Sequence, residues 1–250
     1  MSFLHVCFFS NVLKKQVHAN VLFPDGGKAP FPVYYLLHGL SDDYSIWHRR
    51  TSIERYCEKL PLIVVMPDGF RGFYTDNAEG PPYGQYIMED VIGFTERTFP
   101  ARSDRSGRCI GGLSMGGYGA LRLALSHPET FVSANSHSGA MVFGHDEPRM
   151  EDPEFRRMFG KTPIGSAHDL FALAGKFTKK RGLLPKLKID CGTADHQLEP
   201  NRRFIAHLKE LKVPHDYAEF PGEHNWAYWD EHIREALAFH CQAMQIKPLA

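Results

Sequence analysis

The chain has 250 residues, and 29 Lys and Arg balance 29 Asp and Glu, so its formal charge is zero. That balance argues against a dedicated nucleic-acid binder, which carries a basic excess, and against a polybasic membrane anchor. With 43% hydrophobic and 23% charged residues the composition is globular, and a chain this long can bury a core without disulfide staples.

The first ten residues show no basic n-region and no small-residue cleavage site, so they do not read as a signal peptide. No apolar run approaches the roughly 20 residues that a membrane helix needs. The cysteines (Cys7, Cys57, Cys109, Cys191 and Cys241) are odd in number, widely spaced and without a CxxC. They fit reduced thiols better than a disulfide framework or a zinc site. A soluble, cytoplasmic protein is expected.

Leu4 to Ser10 and Val17 to Phe23 alternate apolar and polar residues, with Pro24-Asp25-Gly26-Gly27 as a turn, and suggest an antiparallel strand pair. The pattern then changes. Val33 to Leu37 and Leu62 to Met66 are continuous apolar runs, as strands buried on both faces of a parallel sheet require. Helical spacing is read over Ile46 to Leu60 and over Tyr86 to Phe99, which Pro100 ends. Strand Arg108–Gly112, helix Met115–Ser126, a short strand at Phe131–Ser136, strand Leu187–Cys191, helix Pro200–Leu211, strand His215–Phe220 and helix Trp226–Met244 follow. This alternation predicts an α/β protein of one domain with a mostly parallel sheet and helices on both faces. Only residues 141–184 break the rhythm, and a stretch that long between core strands reads as a lid or pocket wall.

The strongest local signal is Gly112-Leu113-Ser114-Met115-Gly116, a G-x-S-x-G nucleophile elbow, with a strand before it and a helix after it. Neither a phosphate loop nor a dinucleotide fingerprint fits these glycines. A serine hydroxyl needs a base, and the base needs an orienting acid, in the chain order Ser, Asp or Glu, His. Both partners belong on loops at C-terminal strand ends. Asp195, in the turn after Leu187–Cys191, is the expected acid, with Asp146 in reserve and Asp190 structural inside its strand. Of the histidines after Asp195, only His224 lies on the required kind of loop. His196 adjoins the acid in sequence and cannot easily face it. The expected oxyanion hole pairs the backbone N–H of Met115 with that of Leu40, which follows His38-Gly39 after the strand Val33–Leu37. Gly39 allows that turn, and His38 braces it.

Together with further segments, these residues resemble one known family. His38-Gly39-Leu40, Gly112 to Gly117, Cys191 to Asp195 and Gly222-Glu223-His224 occur in the right order. Pro67-Asp68-Gly69 and Tyr74-Thr75-Asp76 fit as well. The chain resembles the esterase D-like esterases from about Phe3 to Phe239, nearest to bacterial tributyrin esterases. S-formylglutathione hydrolases, feruloyl esterases and antigen 85 mycolyltransferases belong to the wider group. The resemblance implies an α/β-hydrolase fold, a Ser114–Asp195–His224 triad, and no metal or organic cofactor. Leu113 and Tyr118 stand where S-formylglutathione hydrolases usually carry His, which lowers a thioesterase reading. Family members often form oligomers, so a homo-oligomer is an expectation of the resemblance alone.

The expected reaction is hydrolysis of a small ester of short acyl chain through an acyl-enzyme on Ser114. A thioesterase acting on S-formylglutathione and an acetyl-carbohydrate esterase are the alternatives. A non-catalytic module is disfavoured because no triad member is lost, and a metalloenzyme because neither an HExxH nor a closely spaced His pair occurs. Gly39, Trp47, Phe73, Tyr74 and Trp226 are expected at the substrate pocket, with Phe70 nearby and Phe143, Phe155 and Phe159 closing over it. Of 14 histidines, only His224 is given chemistry.

Overall fold

The computed structural model describes residues 1–145, 150–177 and 183–249. Eight strands form one sheet in the order β1-β2-β4-β3-β5-β6-β7-β8. They are β1 (Ser2–Ser10), β2 (Lys15–Phe23), β3 (Val33–Leu37), β4 (Ile63–Pro67), β5 (Arg108–Leu113), β6 (Ser133–His137), β7 (Lys186–Gly192) and β8 (Asp216–Phe220). β1 and β2 pair antiparallel, β2 runs antiparallel to β4, and the other pairings are parallel.

The apolar runs are continuous because both sheet faces are covered. Side chains alternate between faces along a strand. Val33, Tyr35, Leu37, Ile63 and Val65 join the core packed under α5 (Met115–Ser126) and α8 (Leu198–Glu210). Tyr34, Leu36, Leu62, Val64 and Met66 join a second core beneath α1 (Ile46–Arg50), α2 (Ile53–Cys57) and α9 (Trp226–Met244). This is the α/β-hydrolase arrangement, with helices on both faces.

Two helical expectations change in detail. Ile46 to Leu60 is not one helix: Thr51 is extended and separates α1 from α2. Its hydroxyl donates to Trp47 O, while the Ser52 N–H goes to Asp230 of α9. The helix before Pro100 starts earlier, as α3 (Tyr83–Gln85), winds through a π-helical turn at Tyr86–Val91 and finishes as α4 (Ile92–Thr98).

Within 141–184, α6 (Pro153–Phe159) and α7 (Leu170–Phe177) are anchored to the body. Arg71 forks onto Glu154 at 2.6 and 2.8 Å. The Tyr118 hydroxyl donates to His168 O and Arg122 Nε to Ala167 O.

Candidate active site

Ser114 sits between β5 and α5 with φ 52° and ψ −115°, a backbone conformation rare for any residue but glycine. The neighbouring glycines explain how so sharp a turn fits. A side chain at Gly112 would stand 2.5 Å from Leu37 O, and one at Gly116 2.5 Å from Leu37 O and 2.7 Å from His38 O. Backbone cannot yield there, so the elbow packs directly on β3.

The acid and base loops meet because the ends of β7 and β8 are tied together. Thr193 N–H donates to Phe220 O and Ala194 N–H to Gly222 O. His224 Nδ1 lies 2.9 and 3.0 Å from the two Asp195 carboxylate oxygens, and its Nε2 lies 3.1 Å from Ser114 Oγ. The carboxylate can only accept from Nδ1–H, which leaves Nε2 as acceptor for the serine hydroxyl. Burial works against a charged Asp195, but hydrogen bonds from His224, the Gln197 N–H and Ser138 outweigh it and hold its pKa below the usual carboxylate value. Trp229 packs edge-on against the His224 ring at 4.9 Å. Asp146 lies outside the described residues. Asp190 is fully buried and accepts from His137 Nδ1 and the Tyr228 hydroxyl, under the sheet.

The loop His38–Leu40 passes beside the serine: a side chain at Gly39 would come 3.9 Å from Ser114 Cβ. Met115 opens α5, so its N–H has no intrahelical acceptor. Among the described residues no backbone acceptor pairs with the Leu40 N–H either. His38 braces this loop. Gly69 N–H donates to its Nε2 at 2.8 Å, so Nδ1 carries the proton and donates to Gly39 O at 2.7 Å.

A cleft of about 490 Å³ opens over the serine, walled among others by Gly39, Leu40, Leu113, Phe143, Trp226 and Trp229. Three residues expected at the pocket are elsewhere. Trp47 is in the core, its indole N–H donating to Leu37 O. Tyr74 is buried and its hydroxyl bridges the N–H and C=O of His38. Phe73 is buried beneath the wall, stacked 5.0 Å from Phe143 and edge-on to Phe155 and Phe159. All three act behind the cleft, because each satisfies a core packing or hydrogen-bonding need there.

Cleft residues that the sequence reading missed are Ser41, Asp42, His196, Gln197, Asn225 and Trp229. Trp229 was legible, one helical turn past Trp226 on the same face. His196 corrects an expectation: it does approach the acid, with Nδ1 3.6 Å from Asp195 Oδ1 and its ring centroid 4.4 Å from that of His224. Close histidine pairs therefore exist in space although none is adjacent in sequence; His5 and His18 form another.

Residues 10–240 match the family model described as "Putative esterase". The chain is 31% identical over 258 aligned positions to an acetyl esterase of Caldicellulosiruptor saccharolyticus, covering 95% of this chain and 97% of that protein. Its fold superposes on the fluorophosphonate-binding serine hydrolase FphF of Staphylococcus aureus with a TM-score of 0.87 at 30% identity, covering 96% and 98% of the two chains. An S-formylglutathione hydrolase, FrmB of the same organism, gives 0.85 at 30% identity and the same coverage.

Proposed function

Since the chain belongs to the esterase family and is a serine-dependent carboxylic ester hydrolase, we propose that Ser114, Asp195 and His224 carry its chemistry. The single observation behind this reading is the continuous line from Asp195 through His224 to the Ser114 hydroxyl, at 2.9 and 3.1 Å. As Ser114 Oγ attacks the ester carbonyl, its proton passes to His224 Nε2. Asp195 keeps the imidazole in the Nδ1–H tautomer and stabilises the imidazolium. The N–H groups of Leu40 and Met115 stabilise the oxyanion, each worth about 2.7–4 kcal/mol if it behaves as such donors generally do. His224 then protonates the leaving alcohol, and water cleaves the acyl-enzyme by the same steps reversed.

The preferred substrates on this reading are esters of short acyl chains, as of a tributyrin esterase. Phe143 supports it, because the aromatic stack behind that ring stops it from swinging away. Among the described residues of 141–184, Phe143 lines the cleft and α6 is held to the body by the Arg71–Glu154 pair, which supports a wall rather than a lid. Two alternatives have specific support. FrmB is described as an S-formylglutathione hydrolase, and the Caldicellulosiruptor relative as an acetyl esterase. Of the two departures from the thioesterase pattern, Leu113 faces the cleft and Tyr118 is buried away from it.

A cytoplasmic location is part of the proposal, supported by five free cysteines, four of them buried. Among the described residues no helix is long and apolar enough to cross a membrane. Homo-oligomer formation is carried over from the family, and sedimentation velocity tests it.

The substrate reading is tested by kcat/KM on p-nitrophenyl esters from acetate to decanoate, with S-formylglutathione and an acetylated xylo-oligosaccharide alongside. We expect the acetate-to-butyrate esters to lead. Preference for long acyl chains, or for the thioester S-formylglutathione, would overturn it; preference for the acetylated xylo-oligosaccharide would keep the short acyl chain and make the alcohol a sugar.

A further inference from the structure

The triad leaves one cleft histidine without a part in the reaction. His196 is 67% exposed and stands against His224 on the solvent side. Asp195, His196 and His224 can each bring a donor atom within 4.8 Å of the other two. Two imidazoles and a carboxylate are the donor set that zinc and its neighbours favour. Nitrogens sharing one zinc ion sit about 3.4 Å apart, as bonds of about 2.1 Å in a tetrahedron dictate. The donor atoms are near that spacing: Asp195 Oδ1 lies 3.6 Å from His196 Nδ1 and 3.0 Å from His224 Nδ1.

We propose that His196, His224 and Asp195 together form an inhibitory site for a divalent transition-metal ion, with Zn²⁺ the expected occupant. The inference rests on His224 being the base. The nitrogen it offers a metal is Nδ1, which faces the Asp195 carboxylate. The metal displaces the Nδ1 proton to solvent, and the neutral ring then carries its proton on Nε2, the nitrogen that faces Ser114 Oγ. A protonated Nε2 has no lone pair to accept the serine proton. Ser114 keeps its proton, no nucleophile is generated, and hydrolysis stops without any change in covalent structure. Water completes the coordination from the open cleft. Removing the ion restores the base, so the inhibition is reversible.

The competing site is on the edge of the sheet. His5 Nε2 and His18 Nδ1 lie 3.2 Å apart, and Cys7, which is exposed, faces His18 across the β1–β2 register. Zinc held there would sit away from the reacting atoms.

The experiment is a Zn²⁺ titration of p-nitrophenyl acetate hydrolysis in chelator-free, thiol-free buffer, for wild type, His196→Gln and His18→Gln, each scored as a fraction of its own metal-free rate. Fluorophosphonate labelling of Ser114 is followed in parallel. The expected result is inhibition of wild type that EDTA reverses, slower labelling in zinc, and an inhibitory concentration raised about tenfold or more in His196→Gln. His18→Gln should match wild type. An unchanged inhibitory concentration in His196→Gln, a raised one in His18→Gln, or no inhibition by millimolar zinc overturns the metal site. These failures differ from failure of the catalytic reading, which shows instead as metal-free activity surviving in Ser114→Ala.

Discussion

His224 Nε2 stands 3.1 Å from Ser114 Oγ although 110 residues separate the two in sequence. Parallel strands end at the same side of a sheet, so the loops after β5, β7 and β8 gather there. A contact finer than topology completes the approach. A side chain at Gly192 would stand 2.5 Å from Gly222 O, so the acid and base loops can lie together only with glycine there.

If Asp195 orients that histidine, Asp195→Asn should leave the fold intact and lower kcat by roughly 10⁴-fold, because an amide favours the wrong imidazole tautomer. KM should change little. Steady-state kinetics on p-nitrophenyl acetate measure both, and a kcat within tenfold of wild type would remove Asp195 from the triad.

Tyr74 offers a test of the oxyanion loop that needs no change within it. Its hydroxyl accepts from the His38 N–H and donates to the His38 C=O. Tyr74→Phe leaves both buried groups without that partner, at a cost of about 1–3 kcal/mol. The expected signature is a lower unfolding midpoint in urea and a lower kcat with KM little changed. A raised KM at unchanged kcat would instead make Tyr74 a substrate-binding residue.

How far the site was legible in the sequence follows from what each residue needs. Ser114, Asp195 and His224 stood out because their positions are fixed by strand ends and by glycines that the chain must supply. The two-faced core was legible from the unbroken runs at β3 and β4. The pocket was not. Trp47, Phe73 and Tyr74 are close to the catalytic loops in sequence, yet whether an aromatic ring faces a cleft or a core depends on the strand or turn beneath it. Phe73 and Tyr74 both have positive φ, at 51° and 52°, which no aromatic pattern announces. His196 escaped for a similar reason: a residue beside the acid turns back toward it within a tight turn. The break between α1 and α2 depends on Asp230, far away in sequence, capturing the Ser52 N–H.

Phe143 should set acyl length. Phe143→Ala removes the ring that walls the cleft and leaves space against Phe73 and Phe155. The ratio of kcat/KM for p-nitrophenyl octanoate to that for the acetate should rise at least about tenfold, in line with a pocket contact worth 1–3 kcal/mol. An unchanged ratio would place the acyl chain elsewhere.

Acid stability should carry the mark of His240. It is fully buried, with Nδ1 2.8 Å from Ser133 Oγ and Nε2 2.9 Å from Asn135 Oδ1. Burial, with smaller contributions from His137 and Lys188, lowers its pKa from 6.5 to about 3. Below pH 6.5 the unfolded chain takes up a proton that the folded one refuses. Stability from this group is therefore complete above 6.5 and falls by about 1.4 kcal/mol per pH unit on the way down to about 3. Urea unfolding across that window should show the slope, and His240→Gln should flatten it by about one proton. Equal slopes would contradict the assignment.

Ser114 as the nucleophile is tested by labelling with a fluorophosphonate probe followed by peptide mapping. Wild type should incorporate one label, on Ser114, with activity lost in step. Folded Ser114→Ala should take up none and hydrolyse no ester above background. Equal labelling of the mutant, or a label on another serine that tracks the loss of activity, would contradict the account.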